Sequence, residues 1–472
     1  MSSPFFAGVA RTDITPPIGI AHTNWGAQTH QRAAGVDLPL TATALALSDG
    51  SSTVVIVDID TGYLWDTLAD RTIEATVELT GLPSSHIRLA YSHTHSGPAT
   101  SRSRADWAGA GSEMVAAYSD SLPQRLAGVA WAAVQQMQPA TIGSGTGSSS
   151  ISVNRRFQRP EDGAVIVGRN WDGAVDRDVL VLRIDAADGS PLAAVVNFPC
   201  HPITVGPDNE LITPDYPGAL RNTVEANTGA TCLFLQGAAG NIGPVRGVAR
   251  NGAHEYRRLG TILGLEASRV WLETSTRPKQ DRYEGTLESG APLAIYTDDY
   301  LEEPDRTIRV ATRTMSLPLR KLPPPDEMQA AFEANLKELN HLRATNGDPE
   351  QIRLVTMRCK RTAMRAELSR TVQDRTHQQL EAQAIAVGKD IAIVAVPGEP
   401  FVEIGLDVRR GSPYATTLFS GYANVGWSYI PTADAYPLGG YEIEITPWDP
   451  ATAGIIAQEC GAMLTELFAG SV

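Results

Sequence analysis

The residues most able to do chemistry lie where short apolar runs end. Tyr91-Ser92-His93-Thr94-His95-Ser96-Gly97-Pro98 follows the run Ile87–Tyr91. In an extended strand, residues two apart share a face, so His93 and His95 are expected to point the same way at the mouth of a loop. One imidazole of such a pair can hold a metal while the other bonds a metal-bound oxygen. Alone, the pair is a weak signal, and surface or core histidines are the plainer reading. Asn197-Phe198-Pro199-Cys200-His201-Pro202 is built the same way, with His201 fixed between prolines. Cys200 beside it is either a soft ligand or a packed small hydrophobe.

Val396-Pro397-Gly398-Glu399 places a carboxylate just after another apolar run. It suits a metal ligand or an acid at a helix N-terminus, where the macrodipole favours it. Tyr429 and Tyr441 bracket a Tyr- and Gly-rich loop. A tyrosine ligand needs its phenol acidified by a metal, since the free pKa is near 10; the plainer role is packing. Arg155, in Asn154-Arg155-Arg156, is either a surface arginine or a group that steadies a substrate carbonyl. Gln236–Pro244 is a Gly-rich loop that follows an apolar strand and lacks the GK[ST] or GxGxxG of a nucleotide site.

These groups need a scaffold that lines up strand ends. Strands are expected at Thr41–Leu47, Thr53–Ile59, Ile87–Tyr91, Val179–Ile184, Leu192–Phe198 and Thr231–Leu235. Helices are expected from about Asp66 to Thr80, from Ser112 to Gln136 and from Ala253 to Leu272. Residues 286–320 read as strands with an acidic turn. After Pro323-Pro324-Pro325, two helical stretches break at Asn346-Gly347-Asp348-Pro349. They read as a peripheral, solvated helical hairpin with no catalytic part. Ala382–Val387 and Ile391–Val396 flank the hairpin turn Gly388-Lys389-Asp390, and a helix covers 450–468. The fold class is α/β: a large mixed β-sheet core flanked by helices.

The 472 residues include 42% hydrophobic and 19% charged side chains, enough for a sizeable core. The net charge of -14 argues against nucleic acid and anionic membrane partners. No run of apolar residues is long enough to span a bilayer, and no leader is legible. The four cysteines, Cys200, Cys232, Cys359 and Cys460, are widely spaced and read as reduced thiols of a cytoplasmic protein.

In order along the chain, the blocks resemble the neutral/alkaline non-lysosomal ceramidase family. They are Ala7–Pro16, His93–Pro98, Asn154-Arg155, His201-Pro202, Gly240–Pro244, Pro397-Gly398-Glu399 and Tyr429 through Tyr441-Glu442. The resemblance covers residues 5–470 and implies one catalytic unit over 1–472, with a lobe at 286–375 that either caps the pocket or makes a homo-oligomer contact. It implies Zn²⁺ held by His93, His201, Glu399 and Tyr441, with His95, Arg155 and Tyr429 at the scissile carbonyl. Imidazole, carboxylate and phenolate ligands suit zinc. The implied activity is hydrolysis of an amide (N-acyl) bond by metal-activated water. Two departures are expected to matter. Gly243 stands where ceramide-cleaving members carry a serine, and the chain stops short of the family's C-terminal immunoglobulin-like domain. Both favour a soluble small-molecule substrate over ceramide. A zinc esterase or lactonase, a metal-dependent lyase or glycosidase-like enzyme, and a non-catalytic binding protein are the competing readings.

Overall fold

The computed structural model describes residues 4–470 except 23, 26, 29, 66, 99, 102–108, 247–251 and 303, with backbone alone at 252 and 253. An eight-stranded mixed sheet runs in the order Thr231–Gln236, Pro191–Phe198, Asp178–Ala186, Gln138–Ser148, Phe6–Asp13, Thr41–Ser48, Thr53–Ile59, Ile87–Tyr91. Most neighbours are antiparallel. The two edge strands are the exceptions: Ile87–Tyr91 runs parallel to Thr53–Ile59, and Thr231–Gln236 runs parallel to Pro191–Phe198. A second sheet holds Ile308–Pro318, His377–Val387, Ile391–Ala395 and Thr416–Ser420, the last two parallel.

The sheets pack face to face. Leu45, Leu47, Val54, Ile56 and Ala90 of the first share a buried cluster with Ile385, Val387, Ile391, Ile393 and Leu418 of the second. Residues buried on both sides account for the near-continuous apolar runs of these strands. Helices close the outer faces. Val115–Gln135 lies on the first sheet, and Val402–Gly411 and Thr452–Ala469 lie on the second. The architecture is therefore helix, sheet, sheet, helix, which is the mixed α/β core expected.

The Gly/Ser stretch before Asn154 lies partly in strand Gln138–Ser148. Alternate glycines there make a groove for the helix Gly252–Glu273 and the residue after it. A Cβ at Gly145 would fall 2.3 Å from Thr274 Oγ1 and 2.8 Å from Val270 Cγ1. The residues read as strands between 286 and 320 divide. Lys279–Leu287 and Leu293–Tyr300 form their own exposed two-stranded sheet, whereas Ile308–Pro318 enters the second core sheet. The helix expected from Asp66 starts at Leu68, and Asp66 itself lies outside the described residues.

The helical hairpin forms as read, from Pro325–Ala344 and Pro349–Thr371. Asp348 caps the second helix by accepting from Gln351 N at 3.0 Å, and Pro349 occupies its first turn. The hairpin is inserted between the adjacent antiparallel strands Ile308–Pro318 and His377–Val387. No helix among the described residues is long and apolar enough to cross a membrane. All four cysteines are free and buried.

One buried ion network ties helix Tyr216–Thr228 to the end of strand Thr53–Ile59. Arg221 donates to Asp58 at 3.0 Å and to Asp60 at 2.6 Å, and neither carboxylate side chain is exposed. Burial pushes the Asp58 carboxyl up to about 6, against the pull of Arg221. Replacing the guanidinium leaves two buried carboxylates unpaired. Arg221→Leu is therefore expected to lower stability by about 3–5 kcal/mol in urea unfolding. A loss under about 1 kcal/mol would show that the network is not the tie described.

Candidate metal centre

Three strands that each have a parallel neighbour deliver the candidate ligands. His93 follows Ile87–Tyr91, His201 follows Pro191–Phe198, and Glu399 follows Ile391–Ala395. The carboxyl ends of such strands are where open α/β sheets bind ligands. His93 and His95 do come together, but not through a strand pleat. The strand ends at Tyr91, and His93 adopts a left-handed backbone with φ 64°. This conformation costs a non-glycine residue about 1–3 kcal/mol and persists where the surroundings over-determine it. Here His93 N donates to Thr61 O at 3.0 Å, while loop residues 422 and 424 clamp the strand. Tyr91 N donates to Tyr422 O at 3.1 Å, and Asn424 N donates to Leu89 O at 2.9 Å.

The ring centroids of His93 and His201 are 4.8 Å apart, those of His93 and His95 5.1 Å, and those of His95 and His201 5.5 Å. Each Nδ1 faces a backbone carbonyl: His93 to Gly62 O at 2.9 Å, His95 to Asn24 O at 3.1 Å, His201 to Ala239 O at 2.8 Å. A carbonyl only accepts, so each Nδ1 carries the proton and each Nε2 presents its lone pair. Among the described residues none of the three Nε2 atoms has a hydrogen-bond partner, although all are buried. One donor atom from each ring fits in a group whose members lie within 4.8 Å of one another.

Glu399 Oε2 closes on this group, 3.6 Å from His93 Nε2 and 3.4 Å from His201 Nε2. These contacts are not ion pairs. Burial, with the charge of Arg155 and the neighbouring imidazoles, holds His93 and His201 well below the usual histidine range, and His95 down to about 4. Neutral rings with Nδ1 protonated offer Glu399 nothing but lone pairs. Lone pairs facing a carboxylate oxygen repel unless a cation lies between them. Ligands around a tetrahedral zinc with bonds of about 2.0–2.1 Å sit about 3.4 Å apart, which matches the Glu399 separations. The donor set of nitrogen and oxygen fits a borderline divalent ion.

The other expected residues converge on the same cavity. It is a space of about 390 Å³ bordered by His93, His95, Glu399, Tyr429 and Tyr441, with His201 buried behind them. The Tyr429 ring stacks 6.3 Å from that of His201 and meets Tyr441 at 5.8 Å. Burial keeps the Tyr429 phenol protonated, with its pKa well above the usual value. Arg155 is buried, its guanidinium carbon 5.3 Å from the Tyr429 ring centre. Its Nε donates to Glu442 at 2.9 Å, and Arg156 takes the other carboxylate oxygen at 2.8 Å. Arg155 Nη2 is buried with no hydrogen-bond partner. Cys200 stays out of the group: it packs in an apolar cluster, where burial raises its thiol pKa far above the usual value.

Sequence reasoning missed the residues that hold the others. Tyr422 packs 4.5 Å from the His93 ring, and Tyr63 packs 5.1 Å from it. Asn24 orients His95, while Trp25 packs 5.5 Å from its ring. Glu442 stood beside a quoted tyrosine, yet its fork to Arg155 and Arg156 spans most of the chain. The helix Pro349–Thr371, read as solvated and without part in the site, contributes Lys360, Met364 and Leu368 to the cavity wall.

An α/β fold that gathers three histidines and a glutamate at strand ends defines a candidate mononuclear metal site. The chain belongs to the neutral/alkaline non-lysosomal ceramidase family, whose N-terminal region its residues 5–239 match. It is 23% identical to the neutral ceramidase of Pseudomonas aeruginosa, over 96% of this chain and 71% of that protein. It is 25% identical to neutral ceramidase B of Dictyostelium discoideum, over 46% of this chain and 31% of that one. The crystal structure of the Pseudomonas aeruginosa enzyme superposes with a TM-score of 0.70 at 19% identity, covering 100% of this chain and 75% of the other. A structure of a ceramidase complexed with C2 gives 0.68, also at 19% identity, covering 99% and 76%.

The buried neutral histidines carry a pH signature. Their pKa values are depressed in the fold, so the unfolded chain binds more protons between the ordinary imidazole value and the folded one. Stability of the metal-free protein should fall as pH drops from about 6.5 towards about 4, the window set by His95 and His22. Thermal melts of chelator-treated protein at near-neutral and mildly acidic pH should differ by several degrees. An unchanged melting temperature would contradict neutral, buried rings.

Proposed function

We propose that this chain is a zinc-dependent hydrolase of amide (N-acyl) bonds, acting on a soluble substrate rather than ceramide. The observation that carries the reading is the meeting of three unprotonated Nε2 atoms with the Glu399 carboxylate at the edge of a cavity. The relatives' name, neutral ceramidase, supplies the bond type. His93, His201 and Glu399 would hold the metal, joined by the Tyr441 phenol. A bound zinc supplies Lewis acidity at the carbonyl and lowers the pKa of water towards 7.

The protein's own groups divide the remaining work. His95 has its Nδ1 proton engaged by Asn24, so its Nε2 accepts. It takes the proton of the attacking water and returns it to the leaving nitrogen. Arg155 Nη2 and the protonated Tyr429 hydroxyl are the donors for the developing oxyanion. Glu442 fixes the Arg155 fork so that this donor is pre-oriented.

Gly243 bears on the substrate. A Cβ there would meet Arg155 Cβ at 3.5 Å and Ile203 Cδ1 at 3.8 Å, ordinary contact distances. A serine would therefore fit beside Arg155, and its absence removes a hydroxyl from that side of the site. Gly243→Ser is expected to fold like the parent and to gain activity on ceramide relative to short N-acyl substrates. An unchanged ratio would separate this position from substrate choice.

Activity on a panel of N-acyl and O-acyl compounds should vanish with chelation and return with zinc. Arg155→Ala should lower kcat by about 10²–10³. Exclusive ester cleavage, or turnover that survives both chelation and His93→Ala, would overturn the proposal.

A further inference from the structure

The helical insertion is more than a decoration of the second sheet. In helix Pro349–Thr371, Lys360, Met364 and Leu368 fall at intervals of four residues, on one face, and border the cavity, as do Glu367 and Thr371 of the same helix. The aromatic side chains of Trp25, Tyr63 and Trp427 border the same space. Met364 packs against the cluster containing Tyr429 and Ile445. The helix is thus seated on the same side chains that border the metal ligands.

Lys360 supplies the seat. It is buried, and its Nζ donates to the Trp25 carbonyl at 2.6 Å. The preceding residue, Asn24, holds His95 Nδ1 through its own carbonyl at 3.1 Å. Asn24 Nδ2 in turn donates to Gly97 O and Pro98 O at 3.1 Å each, just after the histidine pair. The Trp25 ring lies 5.5 Å from the His95 ring. One short segment therefore links the inserted helix to the imidazole at the reacting centre.

We propose that helix Pro349–Thr371 is the substrate-selecting wall of this site, reading a straight apolar acyl chain through Met364 and Leu368, and that Lys360 is the positioning residue that seats this wall against the support of His95. The acyl class rests on the amide-hydrolase reading above. Met364 and Leu368, with the aromatic side chains of Trp25, Tyr63 and Trp427, make the same demand independently of any reaction: an apolar group that fills the space they border.

The test separates the wall from the chemistry. Binding of short, medium and long straight-chain carboxylic acids, which cannot turn over, is measured by calorimetry on zinc-loaded wild type and on Leu368→Ala and Met364→Ala. Wild type should bind more tightly as the chain lengthens until the wall is reached. Removing the Leu368 side chain should shift the preferred length and change the affinity ratio of long to short acids by about tenfold. The same ratio in wild type and both variants, or no binding at any length, overturns the wall. In parallel, kcat and KM are measured on the matching N-acyl compounds. Lys360→Met should lower kcat on every chain length, and Lys360→Arg should restore most of it, while melting temperatures report folding. A uniform loss of stability with kcat and chain-length preference unchanged would reduce Lys360 to a packing role. Absence of N-acyl turnover in wild type, with chain-dependent binding intact, would refute the amidase reading and leave the wall standing.

Discussion

The site depends on three hydrogen bonds from imidazole to backbone. Gly62, Asn24 and Ala239 each take the Nδ1 proton of one histidine. That fixes the tautomer and turns three Nε2 lone pairs towards one point, where Glu399 adds a carboxylate oxygen. Burial removes the alternative of charged rings. Such an assembly is unfavourable in isolation, because like partial charges face each other in a poorly solvated space. A divalent cation removes that penalty, so metal binding and local order become one equilibrium.

Everything that positions those carbonyls belongs to the fold. Gly62 lies just past strand Thr53–Ile59, whose end is also held by Arg221 through Asp58 and Asp60. Ala239 follows the edge strand Thr231–Gln236, and Gly240 N donates to Pro400 O at 2.9 Å beside Glu399. The strained backbone at His93 is held by bonds to the same strand ends and by the loop carrying Tyr422. The two sheets therefore meet at the site as well as in the core. The strain at His93 is the local cost of aiming a side chain where a regular strand would not point it.

Much of this was legible in the residues. Strand ends followed by His93, His201 and Glu399 were visible because apolar runs stop abruptly at Gly, Pro and polar residues. The helical hairpin was visible from Pro323–Pro325 and the Asn346–Pro349 break. The route by which His93 and His95 converge was not legible, because a left-handed histidine leaves no mark on spacing. Nor was the role of Glu442, whose partners Arg155 and Arg156 lie in a distant part of the chain. The hairpin's inner face escaped for a related reason. Lys360 on a helix rich in arginine looks solvated, and only the tertiary fold buries it against Trp25.

X-ray absorption at the zinc edge of the purified, metal-loaded protein addresses the centre most directly. An ion held by imidazoles and carboxylate predicts one zinc per chain, only nitrogen and oxygen neighbours at about 2.0–2.1 Å, and the outer-shell scattering of histidine rings. Sulfur at about 2.3 Å, or no stoichiometric metal, would contradict the account.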